Sequence, residues 1–247
     1  MRDNVLFYFN IVAGVASIVS VIYIAFADET KAIIALLCFC LFLLASLIAL
    51  ICGISKYIER ENMSDNKKVS VFTTFETIDS SHCQFETYRV IQAKRLILTS
   101  ITQSFKWTGA RLPQLSSRLQ TISDVKQKDA TEYDTAVLKF KHPLRYNETT
   151  TIHFKAEMDD YDSPMVQPHL DYRVDSDINI IHFRVILRHK KSTFKSAAKL
   201  LRMPTESANP AHYEEIGSVV FDVASKSYNY HLTHPDVGYY YRIQWEK

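Results

Sequence analysis

VLFYFNIVAGVASIVSVIYIAF, residues 5–26, is separated from AIIALLCFCLFLLASLIALICGI, residues 32–54, by only ADETK. The runs hold 22 and 23 residues, and as helices each reaches roughly 33 Å, enough for a hydrocarbon core of about 30 Å. Neither run carries the polar face expected of a globular helix of that length. The expectation is a two-helix transmembrane hairpin over residues 1–54. A cleaved signal peptide is the competing reading of the first run, since Arg2 precedes it and Ala25 and Ala27 mimic a small-x-small site. Against it, the apolar core exceeds the usual length of about 7 to 15 residues, and the second run would still anchor the chain.

Orientation follows from the flanking cations, which stay on the cytoplasmic side. Lys56, Arg60, Lys67 and Lys68 follow the second run and Arg2 precedes the first, whereas the connecting turn offers Lys31 beside Asp28 and Glu29. Both termini are therefore expected in the cytoplasm. Cys38, Cys40 and Cys52 fall inside the second run and Cys83 alone lies beyond it, so the remainder has no disulfide framework, as a reducing compartment predicts. Within the first run, Asn10, Gly14 and Ser17 recur at helical spacing with Ala13 and form a narrow small and hydrogen-bonding stripe. That stripe suits packing within one chain, contact between chains, or the lining of a pore, because all three use the same side chains.

Residues 55–68, SKYIERENMSDNKK, read as a basic linker or stalk that continues the helix for a few turns before unwinding. Residues 69–247 are enough for one domain, and no Gly-, Pro- or Ser-rich linker or fixed-period repeat divides them. Period-two alternation recurs over 71–78, 88–101, 135–140, 149–158, 178–187, 219–223 and 239–245, rich in β-branched and aromatic residues. In 149–158, Thr150, Ile152, Phe154, Ala156 and Met158 point one way. In 239–245, Tyr239, Tyr241, Ile243 and Trp245 do. The pattern predicts an all-β domain, sandwich or barrel-like. Residues 112–125 read as an irregular loop, and 192–203 as a short amphipathic helix with Phe194, Ala197, Ala198 and Leu201 on one face, stopped by Pro204.

The formal charge of +2 hides segregation. Arg184, Arg188, His189, Lys190, Lys191, Lys195, Lys199 and Arg202 follow one another without an acid, whereas 157–177 is rich in Asp. A basic run is also the ordinary composition of a solvated face. As a site, Arg184 and Arg188, four apart and so on one strand face, with Lys190 and Lys191 beside them, are the candidate anion ligands, and Tyr172, Trp107 or Tyr240 the candidate stacking partners. The domain is not basic enough for double-stranded nucleic acid. The acidic run, with Asp159, Asp160 and Asp162, lacks calcium-loop spacing and reads as a loop. No nucleophile-elbow, P-loop, zinc-protease, dinucleotide or CxxC motif occurs, and the pair His231 and His234 lacks further ligands. The expectation is a protein without cofactor or metal that is not an enzyme.

The layout of hairpin, short basic linker and cysteine-poor β-domain resembles the two-transmembrane, β-rich effectors of bacterial antiphage systems that respond to cyclic oligonucleotides. The resemblance is architectural and carries no ligand-reading motif. It implies a cyclic nucleotide bound by the β-domain, homo-oligomerisation, and disruption of the inner membrane by the hairpins. The alternative is a passive anchor whose β-domain docks a protein or a lipid surface.

Overall fold

In the N-terminal part, the second apolar run forms α1, Glu29–Glu61, of 33 residues and so about 50 Å long. It starts just after Asp28, whose carbonyl accepts from the Ala32 amide at 3.0 Å, and ends with Arg60 in its last turn, where a cation meets the negative end of the helix dipole. The computed structural model describes residues 14–17, 19, 28–62, 64–79, 82–105, 112–127, 133–159, 168–191, 193–207 and 212–246. These fall in two compact units, Met1–Glu61 and Asn62–Lys247.

Among the described residues one helix, Thr30–Glu61, is long and apolar enough to cross a membrane. Ile33, Leu41, Leu44 and Leu47 stand exposed along it. Of the first run, Gly14, Val15, Ala16, Ser17 and Val19 are helical. Ala16 and Val19 share an apolar cleft with Ile34, Ala35, Cys38 and Phe39, while a methyl group on Gly14 would meet nothing within 4 Å. Asn10 lies outside the described residues, as do Trp107, Asp160 and Asp162. The charged stretch after residue 54 stays helical to Glu61, and strand structure begins at Asn66.

The second unit carries thirteen strands among its described residues: β1 Asn66–Thr77, β2 His82–Ala93, β3 Ile97–Phe105, β4 Gln114–Ser116, β5 Thr121–Lys126, β6 Asp134–Arg145, β7 Thr149–Asp159, β8 His169–Val174, β9 Ile180–Leu187, β10 Ala198–Pro204, β11 Glu214–Val219, β12 Ser227–Thr233 and β13 Tyr239–Gln244. They form a six-stranded sheet in the order β12-β9-β1-β2-β7-β4, a four-stranded sheet β11-β10-β13-β8 and a three-stranded sheet β3-β6-β5. The ladders are antiparallel except β1 with β9, which run parallel. The domain is all-β with mixed sheets.

Alternation sends one face of the large sheet inward, and two cores divide that face. On the β9 side Val71, Ile181, Phe183, Val185 and Leu187 pack with Leu170, Val174, Leu200, Tyr241 and Ile243 of the four-stranded sheet and with Trp245 just beyond β13. On the β7 side Ile91, Ile152, Phe154 and Ala156 pack with Leu98, Ile101, Ala136 and Leu138 of the three-stranded sheet. Each fully buried aliphatic or Phe side chain contributes about 1.5–3 kcal/mol. Phe85 touches both cores.

Five sequence expectations change. No strand runs over 219–223, where β11 ends at Val219 and a turn over 223–226 leads into β12. The single strand over 88–101 is broken at 94–96, where Asp65 accepts from the Lys94 amide at 2.8 Å and from Arg95 Nε at 2.5 Å. Instead of an irregular loop, 112–125 supplies β4 and β5, which pair with β7 and β6. Among the described residues the amphipathic helix over 192–203 is absent: 194–197 has neither helix nor strand, and β10 lies between β11 and β13. The helical spacing of Ala198 and Leu201 misleads because β10 buries residues on both its faces, Ala198 and Leu200 on one and Leu201 and Met203 on the other, and its backbone partners on β11 and β13 make it a strand. Finally, the acidic region contains β8, whose Asp171 takes both Arg242 nitrogens at 2.7 and 2.8 Å.

Candidate functional site

The outward face of the six-stranded sheet gathers aromatic rings in one row. Register pairs His231 with His182, His182 with Phe72, Phe72 with Tyr88, and Tyr88 with His153, so a single rung crosses β12, β9, β1, β2 and β7. His182 and His231 stack at 4.1 Å between ring centroids and 6° between planes. Phe72 meets His182 edge-on at 5.9 Å, and Tyr88 lies 4.5 Å from His153. The next outward rung is polar: Asn229, Arg184, Thr74, Glu86 and Lys155. A strand advances about 6.6 Å over two residues, so Arg184 stands one such step from the rings.

The two ends of the aromatic row differ. On the β7 side residues 117–120 close over it. The Arg118 amide donates to His153 Nδ1 at 2.8 Å, the His153 amide donates to Gln120 Oε1 at 2.9 Å, and Gln120 Nε2 donates to the Thr151 carbonyl at 3.0 Å. Because Nδ1 accepts, His153 is the neutral Nε2–H tautomer, and that N–H donates to Glu86 Oε1 at 2.8 Å. Tyr88 adds a hydroxyl donor to the same oxygen at 3.2 Å. Burial pushes the Glu86 pKa up, but the hydrogen bonds from His153 and Tyr88 outweigh it, and its carboxyl titrates below the usual value. This end is a satisfied lock.

On the β9 side the row is open. Phe72 is 41% exposed, and His231, Arg184 and Asn229 are exposed. His182 Nε2 is buried and has no hydrogen-bond partner among the described residues. Burial lowers the His182 pKa, helped by His231 and Arg184, so its imidazole is uncharged near neutral pH. Stacked imidazoles, an aromatic edge and a guanidinium without a carboxylate partner among the described residues make a surface that can stack a planar ring and bind an anion.

The expected basic cluster is divided. Arg184 stands mid-strand on this open face. Arg188 lies in the turn beyond β9, where its Nε donates to Glu76 Oε1, so it neutralises a buried carboxylate that also accepts from Gln84 Nε2 at 2.5 Å. Lys190 sits in the same turn with its ammonium 4.4 Å from the Phe194 ring centroid, and Lys191 is exposed. Tyr172 and Tyr240 lie on β8 and β13 of another sheet. His182, His231, Phe72 and Asn229 were missed from sequence. The available signal was Phe72, an aromatic on the polar face of an alternating strand. Among the described residues no group of three or more His, Cys, Asp or Glu could hold a metal ion.

No protein-family model matches the chain, and no curated protein matches its sequence. Solved structures do match. An M1 zinc metallopeptidase mutant from Deinococcus radiodurans bound to Tyr-Ser-Ala is 9% identical with a TM-score of 0.41, covering 73% of this chain and 42% of that one. A candidate protease from Parabacteroides distasonis is 7% identical with a TM-score of 0.43, covering 74% and 40%. The Deinococcus radiodurans enzyme without the mutation gives 9% and 0.38, covering 73% and 42%. This chain therefore spans about two-fifths of the length of the structures it matches. These matches to peptidases overturn the sequence expectation that the chain is not an enzyme, and that exclusion is withdrawn. At such identity and TM-score they assign it neither an activity nor a substrate.

Proposed function

We propose that this chain is a membrane-anchored sensor whose β-domain binds a planar, anionic ligand, a cyclic nucleotide, on the open half of the outward sheet face. The observation that carries the reading is the row His231, His182 and Phe72 with Arg184 one rung away. Stacking of a base on aromatic side chains contributes about 1–3 kcal/mol, and a guanidinium donates two parallel hydrogen bonds to a phosphate. Arg184 has no carboxylate partner among the described residues, which leaves its donors for a ligand. Arg188, in this reading, serves the fold through Glu76.

The apolar first run and α1 form the hairpin in the bacterial inner membrane, with both termini cytoplasmic. Ligand binding drives homo-oligomerisation and membrane disruption in antiphage defence. Such coupling requires that the ligand bind the assembled state more tightly than the resting one.

Calorimetry of the full chain in detergent with a panel of cyclic di- and trinucleotides tests the site, paired with dye release from liposomes. Phe72→Ala and Arg184→Ala should each weaken binding at least tenfold and abolish release. Absence of binding across the panel, or variants that bind like the parent, overturns the nucleotide reading and favours a protein- or lipid-docking module on a passive anchor. A cytoplasm-specific reporter fused after Lys247 should be active; an active periplasmic reporter there would reverse the topology.

A further inference from the structure

The opposite, inward face of the same sheet holds charge between its two cores. Arg89 points inward in register with Val71 and Ile152. Its Nη2 donates to Gln103 Oε1 on β3, while its buried Nε has no hydrogen-bond partner among the described residues. No carboxylate pairs with it among the described residues, and burial lowers its pKa. The Tyr172 hydroxyl, on β8, is likewise buried without a hydrogen-bond partner among the described residues, and burial pushes its pKa up to about 12.

Lys68 completes the group. A bulge between Lys68 and Ser70 turns it to the Arg89 side, opposite Ile91, and its ammonium lies 5.8 Å from the Tyr172 ring centroid. Its nearest carboxylate, Asp175, is 3.7 Å away and is held more closely by Arg173 Nε at 2.6 Å. Burial lowers the Lys68 pKa against the pull of Asp175, and Arg89 adds to the lowering. Lys68 and Arg173 thus share one carboxylate, and Arg89 beside them has none among the described residues. Uncompensated buried charge is destabilising, and unpartnered buried donors call for an acceptor. Lys68 is 23% and Asp175 50% exposed at the side chain, which opens this end of the seam to solvent.

We propose that the seam is an oxyanion site, in which a phosphate or carboxylate group enters past Asp175 and accepts from Arg89 Nε, the Lys68 ammonium and the Tyr172 hydroxyl. It is separate from the outward face and does not depend on the nucleotide reading.

Thermal unfolding of the full chain in detergent, at constant ionic strength, compares inorganic phosphate, acetate and chloride. Phosphate or acetate should raise Tm by roughly 3 to 6 °C at ten times its half-saturating concentration, and which of the two acts at lower concentration identifies the preferred group. Chloride should leave Tm unchanged. Arg89→Met should abolish the rise, whereas Arg184→Ala, on the other face, should keep it. If Arg89→Met does not fold, Lys68→Met at its partly exposed position carries the test and should raise the half-saturating concentration at least fivefold. Equal effects of all three anions, no rise with phosphate or acetate, or a folded variant that retains the full rise would each overturn the proposal and leave Arg89 a buried structural cation.

Discussion

Phe154 and His153 are neighbours in β7, point to opposite faces, and are both buried; Phe183 and Arg184 are neighbours in β9, and only Phe183 is. The β7 side of the large sheet is covered on both faces, by the three-stranded sheet beneath and by residues 117–120 above. The β9 side is covered beneath and open above. A histidine enclosed between a backbone amide and a carboxylate has its hydrogen-bonding capacity used up. One stacked on another histidine beside an exposed arginine does not. The same outward row is thus structural at one end and available at the other.

Removing inward rings should have the largest effect and make the two sides look alike. Phe154→Ala and Phe183→Ala should each cost about 3–5 kcal/mol, read as a lowered urea midpoint of the detergent-solubilised chain. If either costs under about 1 kcal/mol, its core is not as described. The outward residues should then separate the sides. His153→Ala leaves Glu86 and the Arg118 amide without their partner in a dry site and should cost about 3 kcal/mol, whereas His182→Ala should cost under about 1 kcal/mol. Equal costs would break the comparison.

A smaller, pH-dependent effect should mark the lock. The folded-state pKa of Glu86 is lowered, so the stability it adds is complete above the unfolded carboxyl value of about 4.3 and is lost as pH falls through the folded value. Glu86→Gln should therefore flatten the parent's loss of stability below about pH 4.3, measured by urea midpoints across that range. A parallel decline in both proteins would show that other carboxylates dominate. The smallest effect belongs to the open end: Arg184→Ala should change stability by less than about 0.5 kcal/mol, its consequence appearing only in ligand binding.

Much of this was legible in the sequence. The apolar run that became α1 needs no tertiary partner to be recognised, and the inward sets of β7 and β13 followed from period-two alternation, because a strand places its side chains by parity alone. Over 198–204 the apolar residues sit at helical spacing only because β10 buries both its faces, and the neighbouring strands β11 and β13, not local pattern, chose the strand. The site was legible only in fragments. Arg184 was visible as a cation on an alternating segment, but nothing local separated it from Arg188, which the buried Glu76, 112 residues away, takes out of play.

Composition and periodicity by themselves determined that an apolar helix precedes a β-domain, and which residues of each strand face together, since these are properties of single segments. The tertiary structure decided register: that His231, His182, Phe72, Tyr88 and His153 fall on one rung depends on four pairings between segments up to 110 residues apart. Pairing is a choice among partners, settled by the core that all the strands bury together, and no single strand contains it.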